Sequence, residues 1–158
     1  MLRRRITRRG VRPRVKTRST RKGYSLYGAV EVRTGEHFFL EGERMNADGF
    51  QAFLDGFAAR HPADFHVLQV DNARFHTAAR LVLPDNVMLL YQPPYSPEVN
   101  PIEQVWGWAK GEIAGEIFET VGDLKQRVNA IIEGAGDAAL KSIVHRRFIL
   151  DALEIAGI

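Results

Sequence analysis

Two acids stand where a chain can put a carboxylate to work. Asp71 follows directly on the apolar run 65–70, FHVLQV, and Glu103 lies in the first turn of the helix expected after the next strand. In open α/β sheets the carboxyl ends of strands are where sites form. A carboxylate there, joined by a second from a neighbouring helix, offers hard oxygen ligands to Mg²⁺ or Mn²⁺. Two such ions on shared carboxylates would activate a water or hydroxyl and stabilise the leaving oxygen in phosphodiester cleavage or strand transfer. The chain contains no cysteine, so thiolate nucleophiles, disulfides and Cys-ligated zinc are excluded.

Each acid also has a local explanation. Asn100-Pro101-Ile102-Glu103 reads as a capping box, with Asn at the N-cap, Pro at N1 and the Glu reaching back to the cap N–H. Asp71-Asn72 reads equally as an Asx-type turn that closes a strand. His76 could be a ligand or a phosphate contact, although a lone His is more often a hydrogen-bonded structural residue. Lys110 lies seven residues after Glu103, on roughly the same helix face, where it would touch DNA or be solvated. Trp106 and Trp108, two apart, cannot share a face, and Trp106 is expected to pack on the sheet with Ile102.

The elements that must aim these groups read as alternating strands and helices. Residues 24–32, YSLYGAVEV, and 37–40 form a hairpin about the turn 33–36. Phe50, Phe53, Leu54 and Phe57 recur at i, i+3, i+4 and i+7, which predicts an amphipathic helix capped by Asn46 and stopped by Pro62. Residues 65–70 and 86–91 are strands, with a short basic segment and a short helix between them. A turn holding Pro93, Pro94 and Pro97 then leads into a helix over 101–113. Helices are expected over 121–135 and 137–156. The order β-β-α-β-(short α)-β-α-α-α predicts an α/β fold, a mixed sheet covered by helices.

Charge is unevenly divided. Residues 1–22 hold 11 of the 22 Lys and Arg and no acid, while the other 136 carry 11 bases against 19 acids, a balance of −8. Such a cationic arm favours a polyanion, because each neutralised phosphate releases condensed counterions. Arg3, Arg4, Arg5, Arg8, Arg9, Arg12, Arg14 and Lys16 are therefore candidate DNA contacts, on an extended or hairpin-like arm since Gly10 and Pro13 interrupt it. A solvated tail is the plainer alternative. No apolar run reaches the ~18 residues of a membrane span, and the basic start lacks the apolar segment of a secretory signal. A cytoplasmic, nucleoid-associated protein is expected.

The segment 70–78, VDNARFHTA, followed by 93–106, PPYSPEVNPIEQVW, and Lys110, resembles the second and third acidic motifs of DDE transposases of bacterial insertion sequences in the mariner-like superfamily. The hairpin 24–42 and the helix 46–57 also look like that family between its first two acids. The resemblance implies a ribonuclease H-like fold, two Mg²⁺ or Mn²⁺ ions, and cutting and rejoining of DNA at transposon terminal inverted repeats. Asp71 would be the second catalytic Asp and Glu103 the final Glu, both of them metal ligands, with Asn72, His76 and Lys110 as DNA contacts. Self-assembly or co-assembly with a full-length transposase would follow. The interval from Asp71 to Glu103 is 32 positions, a few residues shorter than is usual.

The family's first Asp has no counterpart here: the first acid of any kind is Glu31, on what should be the second strand. Residues 1–22 are thus expected to be a basic arm, 23–120 a partial catalytic domain lacking its first strand, and 121–158 C-terminal helices. Little or no catalysis is expected of the isolated chain. The alternative is a non-catalytic DNA-binding or interaction module that modulates full-length transposase.

Overall fold

The computed structural model describes residues 25–157, so the candidate contacts on the arm, Arg3 to Lys16, lie outside the described residues. Strands β1 (Ser25–Val30) and β2 (His37–Gly42) pair antiparallel in the register Val30↔His37 to Ser25↔Gly42. The turn between them is closed by Glu31, whose Oε2 accepts from the Arg33 N–H at 2.9 Å, from the Thr34 hydroxyl at 2.7 Å and from the Thr34 N–H. Burial raises the Glu31 pKa, but these hydrogen bonds outweigh it and hold the carboxyl below its ordinary value. Glu31 therefore sits in the turn rather than on a strand, with its carboxylate committed there.

Helix α1 (Ala47–Arg60) begins at Asn46, whose Oδ1 accepts from the Gly49 N–H at 2.8 Å, as its sequence pattern predicts. Its Phe50, Phe53 and Leu54 are buried against Tyr27 of β1 and against Val70 and Val87. Those last two belong to β3 (His66–Val70) and β4 (Val87–Tyr91), which pair in parallel from His66↔Val87 to Val70↔Tyr91. The expected short helix between them is absent. Residues 72–85 form isolated turns, with His76 N–H donating to Ala73 and Leu81 N–H to Ala78, while side chains take the Ala73 and Val82 N–H groups.

The chain is α/β, as expected, but the described strands form two two-stranded ladders, one antiparallel and one parallel, rather than one mixed sheet. Between β1 and β3 lies a cavity of 440 Å³, lined by residues 28–33 on one side and 64–69 on the other.

Helix α2 (Pro101–Glu112) seats Val105, Trp108 and Ile102 in a second core with Val32, Leu140 and Val144. Helix α3 (Val121–Val144) opens with a full capping box between Thr120 and Asp123, and kinks at Gly136, where φ is +66°. The break at Gly136 was expected; a second one, at His145 and Arg146 before α4 (Arg147–Ala156), was not. Leu140 and Val144 are fully buried, and Ile149, Leu150 and Leu153 return to the same cluster. A straight helix over 137–156 would be about 30 Å long and would carry them past it. No helix among the described residues is long and apolar enough to cross a membrane.

Candidate active site

Asp71 is the first residue beyond β3, next to the buried Val70, and its side chain is about half exposed. Its Oδ1 accepts from the Ala73 N–H at 3.0 Å, so the Asx-turn reading of Asp71-Asn72 is correct as local structure. The same oxygen lies 2.7 Å from Nδ1 of His76. Both partners fall on Oδ1, and Oδ2 has no hydrogen bond among the described residues. A turn aspartate can thus keep one oxygen for another use.

Glu103 departs from the capping-box expectation. The Asn100 side chain makes no cap bond, and its backbone N–H donates to the Pro97 carbonyl at 3.1 Å. That carbonyl belongs to a 3₁₀ turn (Pro97–Val99) which the four-proline segment forms before the helix. With the cap N–H already satisfied, nothing draws the Glu103 side chain back. Its carboxylate is exposed and makes no hydrogen bond or ion pair among the described residues.

Two contacts aim α2. Trp106 packs edge-on against Phe39 of β2, with ring centroids 5.6 Å apart, as its expected place on the sheet requires. Gly28 makes the approach possible, since a Cβ there would meet the Phe39 ring at 2.5 Å and the Trp106 ring at 3.0 Å. On the other side, Gln69 Nε2 donates to the Val99 carbonyl at 2.9 Å, tying β3 to the turn that launches the helix. The outcome is a cavity of 150 Å³ whose wall includes Asp71, His76, Asn100, Glu103 and Trp106. The larger 440 Å³ cavity is lined by neither Asp71 nor Glu103 and is not the chemical site.

Of the other candidates, Asn72 spends its amide on the Gln92 carbonyl at 2.8 Å, fastening the loop to the end of β4. His76 is largely buried, its ring packed between Phe50 and Phe75 at centroid distances of 4.4 and 4.2 Å. Lys110 is exposed in the last turn of α2 and is not part of the cavity wall. Sequence reasoning missed Gln69, Phe50 and Phe75 as site residues. The signal for Gln69 was present, a polar residue within the apolar run just before Asp71.

Residues 1–125 match the family model described as DDE superfamily endonuclease. The chain belongs to this family. It is 32% identical over 101 residues to the uncharacterized protein y4pE/y4sA of Sinorhizobium fredii, an alignment covering 63% of this chain and 75% of that protein. Its fold matches that of the Mos1 transposase, solved as a paired-end complex with the left transposon end, with a TM-score of 0.68 at 19% identity. That match covers 98% of this chain and 49% of the Mos1 chain, so the chain spans about half of that protein's length. The likeness confirms the expected ribonuclease H-like α/β fold.

DDE endonucleases use divalent metal, and the donors here have the right chemistry: Asp71 and Glu103 carry hard carboxylate oxygens and both line one cavity. Among the described residues no group of three acids or histidines comes together that could hold an ion. The two carboxylates fit as part of a ligand set.

Proposed function

We propose that this chain carries the second and third acids of a DNA transposase catalytic site, acting on phosphodiester bonds at transposon ends. The observation that supports this most is the convergence of Asp71 and Glu103, from separate elements, on one small cavity with carboxylate oxygens to spare. When bound, Mg²⁺ or Mn²⁺ supplies activation of the attacking oxygen and charge neutralisation at the leaving one. The protein's part is to hold Asp71 by its turn and Glu103 by the rigid helix start, so that both carboxylates face one point. The Mos1 relative was solved with transposon-end DNA, and this chain's partner is taken to be DNA of that kind.

Catalysis needs a third carboxylate that residues 25–157 do not bring to the site, and residues 1–24 contain no acid. On this reading the purified chain is not expected to cut DNA unaided. The test is nicking of supercoiled plasmid by the purified chain in Mg²⁺ or Mn²⁺. No nicking above background is expected, and metal-dependent nicking abolished by Asp71→Asn would refute the inactivity.

A further inference from the structure

Resting on that reading of Asp71 as a metal ligand, we infer that His76 is a positioning residue which decides the Asp71 oxygen offered to the cation. Nδ1 of His76 has two neighbours, Asp71 Oδ1 at 2.7 Å and the Asp71 carbonyl at 3.1 Å, and both are acceptors. The proton therefore sits on Nδ1 and the ring donates to Asp71. Together with the Ala73 N–H at 3.0 Å, this loads Oδ1 with two donors. The carboxylate plane is thereby fixed, and Oδ2 becomes the oxygen free for a ligand bond, so Asp71 binds through one oxygen rather than both.

The histidine is itself held from three directions. Its ring lies against Phe75 and against Phe50, a fully buried core residue of α1. Its backbone carbonyl accepts from the Tyr91 hydroxyl at 2.9 Å, at the end of β4. The core of the domain is thus connected, through one imidazole, to the orientation of a carboxylate at the mouth of the site. In this assignment His76 acts on Asp71 through Nδ1, a different role from the DNA contact expected of it. Outer partners of this kind, when removed, cost about 10 to 100-fold in metal affinity.

The experiment is a titration of the full chain with Mn²⁺ alone, following the loss of the free-ion electron paramagnetic resonance signal, with a thermal melt of every variant. Wild type, D71N, H76A and H76N are compared, since the Asn amide can place an N–H close to where Nδ1 stands. The expected result is near-complete loss in D71N, at least about 10-fold weaker binding in H76A, and recovery to within about 3-fold of wild type in H76N. If D71N loses binding while folded H76A binds as wild type does, His76 is merely structural and the inference falls. If H76A does not fold, H76N decides, because binding as weak as D71N's in a folded H76N also overturns it. Mn²⁺ binding that is absent in wild type, or unchanged in D71N, overturns the metal-site reading on which the inference rests.

Discussion

The Gln69 side-chain amide donates to the carbonyl of Val99 at 2.9 Å, across 30 residues of sequence. Gln69 precedes Asp71 by two positions on β3, and Val99 ends the 3₁₀ turn from which the helix of Glu103 departs. One hydrogen bond therefore spans the two segments that carry the carboxylates. Gln69→Leu leaves the Val99 carbonyl without this donor and should cost about 1 to 2 kcal/mol of stability. It should also weaken Mn²⁺ binding, read in the same titration, while Gln92→Ala, at the longer 3.4 Å contact, should not.

Glu103 and Asp123 occupy the same N3 position of two helices with opposite local roles. The Thr120–Asp123 box is formed in both directions, at 3.0 and 2.9 Å, whereas the Glu103 carboxylate takes no part in its cap. Thr120→Ala should lower stability by about 1 kcal/mol. Glu103→Gln should stay within about 0.5 kcal/mol of wild type, as surface changes away from such features do. Chemical denaturation of the two variants checks this, and a large loss in the Glu103 variant would restore the capping reading.

How much of this was legible in the sequence differs between neighbouring residues. Asp71 and Glu103 could be found because a strand end and a proline-led helix start are local signals, and the hairpin and α1 followed from spacing and the Asn46 cap. The capping box at Asn100 was misread because the competing acceptor, Pro97 O, appears only once the proline segment folds into a 3₁₀ turn. Burial of Leu140 and Val144 sets the break at His145, with no Gly or Pro to announce it. The Phe50–His76–Phe75 packing joins residues about 25 positions apart, a separation that periodicity does not report.

Tyr95 sits inside the proline turn with φ of +60° and its side chain fully exposed. A bulky residue in the left-handed region costs about 1 kcal/mol or more, and Asn tolerates it better. Tyr95→Asn should leave the melting temperature unchanged or raise it. A clear drop would mean that the tyrosine ring makes a stabilising contact.

Glu41 of β2 receives hydrogen bonds from Asn129 at 2.7 Å and Lys125 at 3.0 Å of α3, which together hold its pKa below the ordinary value. A carboxyl depressed on folding contributes stability above its unfolded pKa and loses it as pH falls through the lower folded value. The stability gap between wild type and Glu41→Gln should therefore be present at neutral pH and close in acid. The group is largely solvated, so the gap should be small and reduced by salt. Denaturation midpoints measured from pH 7 to pH 3 follow it.

The cationic segment should act on DNA through its charge. Removing residues 1–22 takes away 11 bases and no acid, so binding to duplex DNA should weaken and its dependence on log[salt] should become shallower. Fluorescence anisotropy over a salt series measures both, and an unchanged slope would exclude the arm from the interface.

The central claim is that Asp71 and Glu103 hold one divalent site together, and a double-mutant cycle tests it most directly. Mn²⁺ affinity is measured for wild type, D71N, E103Q and the double variant, each shown to be folded by circular dichroism. Each single change should weaken binding by about 10-fold or more, and the double variant should bind little worse than the weaker single, giving a coupling of about 1 kcal/mol or more. Losses that simply add, or a folded E103Q that binds Mn²⁺ as wild type does, would contradict a shared site.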